Sequence, residues 1–288
     1  MSFAISTDTS ANLPTAELQW HQLYLLPFSY IVDDVEHQCL DLTAFDGDAY
    51  YEMLRHTPAS TSMISMDQYR RLWEPLLQEG QDVLHVGMSS GISGAYAASE
   101  SASKRVREEN PNVRIETFDT RGASLGEGLL VRLAVQLRDA GKTAVQIAAS
   151  LEHAKEHLHL VAAIDDLKYL RKGGRLPAAV AVAGGMLGIK PLITIKEGKV
   201  AMAGKARGLP GAYVALFKKV EELGGISAAV PALAGYTLSA REVQPIQTYL
   251  QDNLQCAEPL VRQIGCVIGT HAGPGAFGLA FFDQGLEL

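Results

Sequence analysis

The chain has little cysteine and no charge bias that would suit a polyanion. Its 288 residues include Cys39, Cys256 and Cys266, three separated thiols without any C-x-x-C spacing. So few and so scattered, they argue against a disulfide framework or a zinc knuckle and suit a reducing cytoplasm. The net charge is −7 and the basic residues are dispersed, which disfavours nucleic acid as a partner and leaves room for a protein with a basic face. Long apolar runs are also lacking. The longest small-apolar segment, 178–189, is interrupted by Gly184, Gly185 and Gly188 and stops at Lys190-Pro191, too short to span a bilayer. The start, M-S-F-A-I-S-T-D-T-S, has no basic stretch before its brief apolar run, so no signal peptide is expected. Internal repeats and low-complexity tracts are missing as well. What is present is a 47% hydrophobic, 20% charged composition, enough for one large or two ordinary domains with a core that needs no staples.

The most informative stretch is residues 82–101, D-V-L-H-V-G-M-S-S-G-I-S-G-A-Y-A-A-S-E-S. Val83, Leu84 and Val86 form a short apolar run ending in Gly87, the pattern of a buried strand. A Gly- and Ser-rich turn follows and opens a helix near Ser93, gathering amides and hydroxyls where an anion is favoured. The plainer alternative is a serine N-cap.

Upstream, Phe3 to Ser6 reads as a strand, and the hydroxyl-rich T-D-T-S-A-N-L-P after it puts Asp8 at a strand's carboxyl end. Ligands of open α/β sheets collect there, although Asp8 equally suits a helix cap. Leu23 to Val32 reads as one further strand, followed by an acidic turn at Asp33-Asp34 and a helix from Thr43 to Arg55 with Tyr50, Tyr51 and Leu54 inward. Thr57 to Met63 reads as a polar loop carrying a second hydroxyl cluster, Ser60, Thr61 and Ser62, before a helix containing Asp67, Tyr69, Leu72 and Leu76. Val113 to Asp119 is a strand whose exit, D-T-R-G-A-S-L-G-E-G, opens a helix from Ser124 to Ala140, and Thr143 caps another through His157. Alternating strands and helices predict a mainly parallel, doubly wound sheet in a domain of residues 1–155. His153 and His157 lie one turn apart beside Glu156, but no third ligand accompanies them, and a solvated helix face is the reading.

The second half, residues 156–288, reads as another α/β domain. D-L-K-Y-L-R-K-G-G-R-L places a short helix, a Gly-Gly turn and Lys168, Arg171, Lys172 and Arg175 ahead of a small-residue helix from Ala178. Leu192 to Lys196 and Val200 to Ala206 flank Glu197-Gly198 as a hairpin. Helices from Pro210 to Glu222 and Ser239 to Asn253 surround a strand near Ala228 to Ala234. The last motif, I-G-C-V-I-G-T-H-A-G-P-G-A-F-G-L-A-F-F, sets His271 between an apolar strand and a glycine-rich turn. A lone histidine there is commonly structural. The glycines around it suggest close approach of backbone or ligand.

In order along nearly the whole chain, S-T-D-T-S-A-N-L-P, S-T-S, S-S-G-I-S-G-A-Y, D-T-R-G-A-S-L-G-E-G, D-L-K-Y-L-R-K-G-G-R-L, K-P-L and I-G-T-H-A-G-P-G-A-F-G resemble the DegV family, bacterial fatty-acid-binding proteins that serve fatty acid kinase. The resemblance implies a two-domain α/β protein of DegV-like fold with a ligand pocket near the domain interface. It implies one buried acyl chain whose carboxylate is held by Thr61, Ser93 and His271, with Ser62 and the Gly94 amide in support. Arg175 and Arg207, matching family arginines, become candidates for docking the kinase or guiding phosphate. No cofactor is implied, ATP chemistry belongs to the partner, and cytoplasmic residence with transient contact to a membrane surface fits. The chain departs from the family in having Met63 where Gln is usual, and in lacking Pro near Met66; both are expected to affect the pocket wall or loop.

Elementary energetics agrees with this division of labour. A carboxylate taken out of water needs donors, and an unpaired one costs several kcal/mol. Hydroxyls supply them without fixed charge, while His271 serves as a neutral donor or, if protonated, as a counter-ion. The tail supplies most of the affinity at about 0.8 kcal/mol per methylene. Ala162, Ile164, Ala181, Val182, Met186, Leu187 and Ile189 are candidate pocket lining, or ordinary core. The rival reading is a serine esterase, because G-M-S-S-G fits the G-x-S-x-G nucleophile elbow with Ser89, Asp165 or Asp166, and His271 in α/β-hydrolase order. A small-substrate kinase subunit is a third, through the likeness of DegV proteins to dihydroxyacetone kinase.

Overall fold

The computed structural model describes residues 3–38, 42, 44–176, 188–254 and 260–287. Two main sheets carry the architecture. The first has the all-parallel order β2-β1-β6-β7, made of β1 (Phe3–Asp8), β2 (Leu23–Leu26), β6 (Asp82–Gly87) and β7 (Ile115–Asp119). Helices α3 (Met66–Gln78) and α4 (Ala95–Glu109) cover one face, and α5 (Leu125–Asp139) and α6 (Ala144–Ala154) cover the other. This is the predicted doubly wound sheet. Short apolar strands covered on both faces leave no solvated side, which is why they read as continuous rather than alternating.

The second sheet is mixed and runs β10-β9-β8-β13-β11-β12. Its strands are β8 (Leu158–Ala163), β9 (Ile189–Lys196), β10 (Lys199–Arg207), β11 (Leu233–Tyr236), β12 (Leu260–Gln263) and β13 (Phe277–Phe282), with α8 (Gly208–Glu222) and α9 (Gln244–Leu254) packed on its outer face. The β9-β10 hairpin forms as expected: Glu197 and Gly198 take φ of 50° and 75°, the left-handed pair of a tight hairpin turn. Helix α5 lies between the two sheets. Its residues from Leu125 to Val135 are almost all buried, and they join Ile5, Leu84 and Phe118 of the first sheet to Leu233, Ala280 and Phe282 of the second in one core.

A third, three-stranded sheet corrects two expectations. The run 23–32 is not one strand: Pro27 offers no backbone donor, and the chain leaves the parallel sheet there to form β3 (Ser29–Val32). Strand β3 turns through Asp33 and Asp34, at φ of 48° and 61°, into β4 (Val35–Gln38), and on its other side pairs antiparallel with β5 (Ala59–Ser62). The expected polar loop therefore contains a strand, held by ladder bonds to β3 that its hydroxyl-rich sequence does not advertise. Helix α2 (Gly47–Leu54) begins later than expected, with Asp46 as its cap, and buries Tyr50, Tyr51 and Leu54 as predicted; Thr43 lies outside the described residues.

The run before the last glycines is a further correction. Residues Cys266–Ala272 form a helix, α10, not a strand. Val267, Ile268 and Thr270 favour strands locally, but burial of Cys266, Val267, Gly269 and Thr270 follows a helical period against α2 and β5. The remaining α-helices among the described residues are α1 (Thr15–Trp20) and the single-turn α7 (Lys168–Lys172), and 3-10 turns lie at Thr9–Ala11, Lys155–His157 and Ala240–Glu242. The small-residue segment expected as a helix from Ala178, with Ala181, Val182, Met186 and Leu187, lies outside the described residues, as do Cys39 and Cys256. No described helix is long and apolar enough to cross a membrane.

Candidate functional site

Three chain segments meet at one mouth. Strand β5 presents Thr61, the turn between β6 and α4 presents Ser93, and the last turn of α10 presents His271. Thr61 Oγ1 and His271 Nε2 lie 2.8 Å apart. Behind them opens a narrow apolar cavity of about 100 Å³, whose wall contains Phe28, Met88, Ile92, Leu160, Ile195 and Val267. An adjoining space of about 80 Å³ shares Leu160, Ile193, Ile268 and Ala272 with it and extends toward Ala162, Ile164 and Leu279. Of the expected lining, Ala162 and Ile164 thus face this space.

Local geometry explains how the mouth is kept. Ser93 is buried and its Oγ accepts the Ala95 N–H at 3.2 Å, so this hydroxyl also tightens the start of α4. His271 approaches α7 because residue 173 is glycine: a Cβ there would lie 2.1 Å from Nδ1. Burial, and after it the Arg175 guanidinium, push the His271 imidazole down to about 4. Without an anion beside it, the imidazole is therefore uncharged at neutral pH. Its buried Nδ1 has no partner among the described residues.

Not every expected residue arrives at the mouth. Neighbouring residues on a strand face opposite ways, so with Thr61 turned to the cavity, Ser62, paired with Ser29, is not part of its wall. Gly94 caps α4 and lies outside the wall; a Cβ on it would approach the Met63 sulfur to 2.9 Å, so its smallness makes room for Met63, which is 52% exposed at the mouth. Arg175 is no solvated charge. Its Nε donates to the Ile92 carbonyl at 3.2 Å and Nη1 to the Gly173 carbonyl, placing it in the wall beside His271. Arg207 is exposed at the end of β10. Ser124 was missed: it is buried, lines both parts of the cavity, and holds φ 56° and ψ −129°, a strained conformation for a residue with a side chain. The small residues of D-T-R-G-A-S were its only signal.

The esterase arrangement does not assemble. Ser89 is fully buried and donates to the Gly198 carbonyl at 2.6 Å, His271 Nε2 is engaged by Thr61, and Asp165 pairs with Lys190. Asp8 is likewise internal: it accepts the Ser10 N–H at 2.8 Å and the Met88 N–H at 3.3 Å. Ser10 Oγ lies 2.5 Å from both Asp8 and Glu127. One hydroxyl proton cannot serve two carboxylates, so a proton resides on the pair; burial raises both groups, Glu127 strongly. His157 faces Asp283 at 2.9 Å rather than a shared site with His153, and His159 holds the other oxygen of Asp283 at 2.8 Å.

Fold and mouth together define a class: an α/β protein with an apolar internal cavity that opens between a threonine, a serine and a neutral histidine. The chain belongs to the DegV family, whose model, described as that of an uncharacterised protein family, matches residues 2–284. The DegV domain-containing protein YteA of Lactococcus lactis is 30% identical over 283 residues, 97% of each chain. A Thermus thermophilus DegV family structure, reported for fatty acid binding, superposes with a TM-score of 0.87 at 26% identity, over 98% of this chain and 100% of that one. A fatty acid binding DegV family protein from Streptococcus agalactiae gives 0.83 at 28% identity, over 98% and 99%.

Proposed function

We propose that this protein binds one long-chain fatty acid, with its tail in the apolar cavity and its carboxylate at Thr61, Ser93 and His271, and presents it to a partner fatty acid kinase that forms the acyl phosphate. The observation that carries this reading is the Thr61–His271 pair, 2.8 Å apart, at the polar end of a cavity whose wall is mainly apolar. Neutral donors stabilise a carboxylate less than a bidentate arginine would, leaving its oxygen competent as a nucleophile. The fatty acid binding of the similar Thermus and Streptococcus proteins supports the ligand class.

On this reading the chain itself catalyses nothing and needs no cofactor; ATP is held by the kinase. Residues 1–155 and 156–288 act as two lobes with the ligand between them. Exposed Arg207 suits docking of the partner, while Arg175, bonded to two carbonyls, suits shaping the mouth. Ser62 and Gly94 support the mouth through strand pairing and the space left for Met63. Loading and delivery take place in the cytoplasm, with transient contact at a membrane surface.

The test is direct. Purified protein is denatured, extracted and analysed by lipid mass spectrometry. Near one equivalent of a fatty acid is expected, and an extract still empty after incubation with fatty-acid mixtures overturns the reading.

A further inference from the structure

Beyond the mouth, the wall of the cavity is apolar except at one place. Leu160, Ile193, Ile268 and Ala272 line both parts and mark the passage between them; Ser124 lines both parts as well. It is buried, and its Oγ makes no hydrogen bond to any described residue. Thr237, the other hydroxyl-bearing residue of the adjoining space, is engaged: its Oγ1 accepts the Ala276 N–H at 2.9 Å and donates to the Ala276 carbonyl at 3.3 Å.

The backbone keeps the Ser124 hydroxyl from its ordinary use. Ser124 stands at the cap position of α5, where a serine usually sits in extended backbone and accepts an amide of the first turn. Ser65 does this before α3 and Thr143 before α6, each accepting the N–H of the third helical residue. At φ 56° and ψ −129° Ser124 makes no such bond. Glycine would hold this conformation without strain, and glycines do occupy positions 122 and 126 on either side. A strained serine without its capping bond, facing an apolar passage, is a polar group in want of a ligand oxygen.

We infer that Ser124 is a specificity-determining residue that hydrogen-bonds an oxygen carried within the acyl chain, so that the ligand class includes long-chain acids hydroxylated in their interior. The inference rests on the fatty-acid reading of the cavity and deepens it. With the carboxylate at Thr61, Ser93 and His271, a group that reaches the passage belongs to the middle of the chain. A serine hydroxyl both donates and accepts, which suits an alcohol. Elsewhere along the apolar wall a chain hydroxyl would be buried without a partner, whereas a plain methylene at Ser124 leaves the serine unpaired. Gly122-Ala123-Ser124-Leu125-Gly126 also has the G-x-S-x-G form of a nucleophile elbow. A base is missing: no Asp or Glu lines either part of the cavity, and His271 Nε2 is engaged by Thr61.

The experiment measures binding of stearate and of hydroxystearates substituted at carbons 6 to 12 by calorimetry, to the wild type, Ser124→Ala and Ser124→Gly. The glycine variant frees the backbone, so loss of the hydroxyl is read with and without its strain. The wild type should bind at least one of the hydroxy acids roughly three- to tenfold more tightly than stearate. Both variants should lose that preference, and Ser124→Ala should bind stearate roughly two- to fivefold more tightly than the wild type does, because no hydroxyl is left unpaired. Absence of a preference in the wild type, or its retention in both variants, overturns the inference while stearate binding keeps the fatty-acid reading standing. Failure of every acid to bind the wild type overturns both. Modification of Ser124 by a long-chain fluorophosphonate, located by peptide mass spectrometry, also overturns the inference, since it makes the serine a nucleophile.

Discussion

Thr61 and His271 are 210 residues apart in sequence and 2.8 Å apart in space. The contact ties β5, in the small third sheet, to the last turn of α10. It therefore closes the mouth only when the N-terminal and C-terminal halves of the chain are packed together.

Replacing Thr61 with Val keeps the shape and removes the hydroxyl. It leaves His271 Nε2 without its partner and, on the proposed reading, the carboxylate without a donor, at a cost of roughly 1–3 kcal/mol. Fatty-acid affinity should fall about 5- to 100-fold by titration calorimetry while the thermal midpoint moves by only a few degrees.

His271 makes stability depend on pH. Its folded value of about 4 lies below the ordinary 6.5, so between those values the unfolded chain binds more protons. Stability from this group is complete above about pH 6.5 and is lost as pH falls toward 4. His271→Gln should flatten this part of the pH profile of the urea midpoint; an unchanged slope would show that His271 is not held neutral.

Glu127 has the opposite sign. A carboxyl whose folded pKa is raised costs stability as pH climbs above its unfolded value. Glu127→Gln keeps the size, retains a hydrogen-bonding group toward Ser10 and removes the titratable carboxyl beside Asp8. The variant should melt at higher temperature than the wild type at pH 8, with the gap closing near pH 4.

Ile193 lines both parts of the cavity and is nearly buried. Ile193→Trp should block the passage between the two parts at an overpacking cost of about 1–3 kcal/mol. Acids extracted from the variant should be shorter than those from the wild type, and an unchanged chain-length profile would show that the tail takes another path.

Ser89 provides a check on the hydrolase rival. Its buried hydroxyl donates to Gly198, so a fluorophosphonate should not label it, and Ser89→Ala should cost about 1 kcal/mol of stability without changing lipid binding.

The sequence by itself determined the local grammar of this protein. Short apolar runs marked β1, β6 and β7, Thr143 marked the start of α6, and Asp33-Asp34 and Glu197-Gly198 marked the turns. Each of these is set by neighbours a few residues away. The motifs also brought Thr61, Ser93 and His271 to notice. Only tertiary packing decided the rest. It made a strand of 59–62, because the partner that completes its ladder is β3, and a helix of 266–272, because burial against α2 outweighed β-branched preference. It turned Ser62 away from the cavity by the two-residue period of β5, drew Arg175 into the wall, and removed the charge from His271 by burial. Those outcomes depend on groups far away in sequence, and no local pattern encodes them.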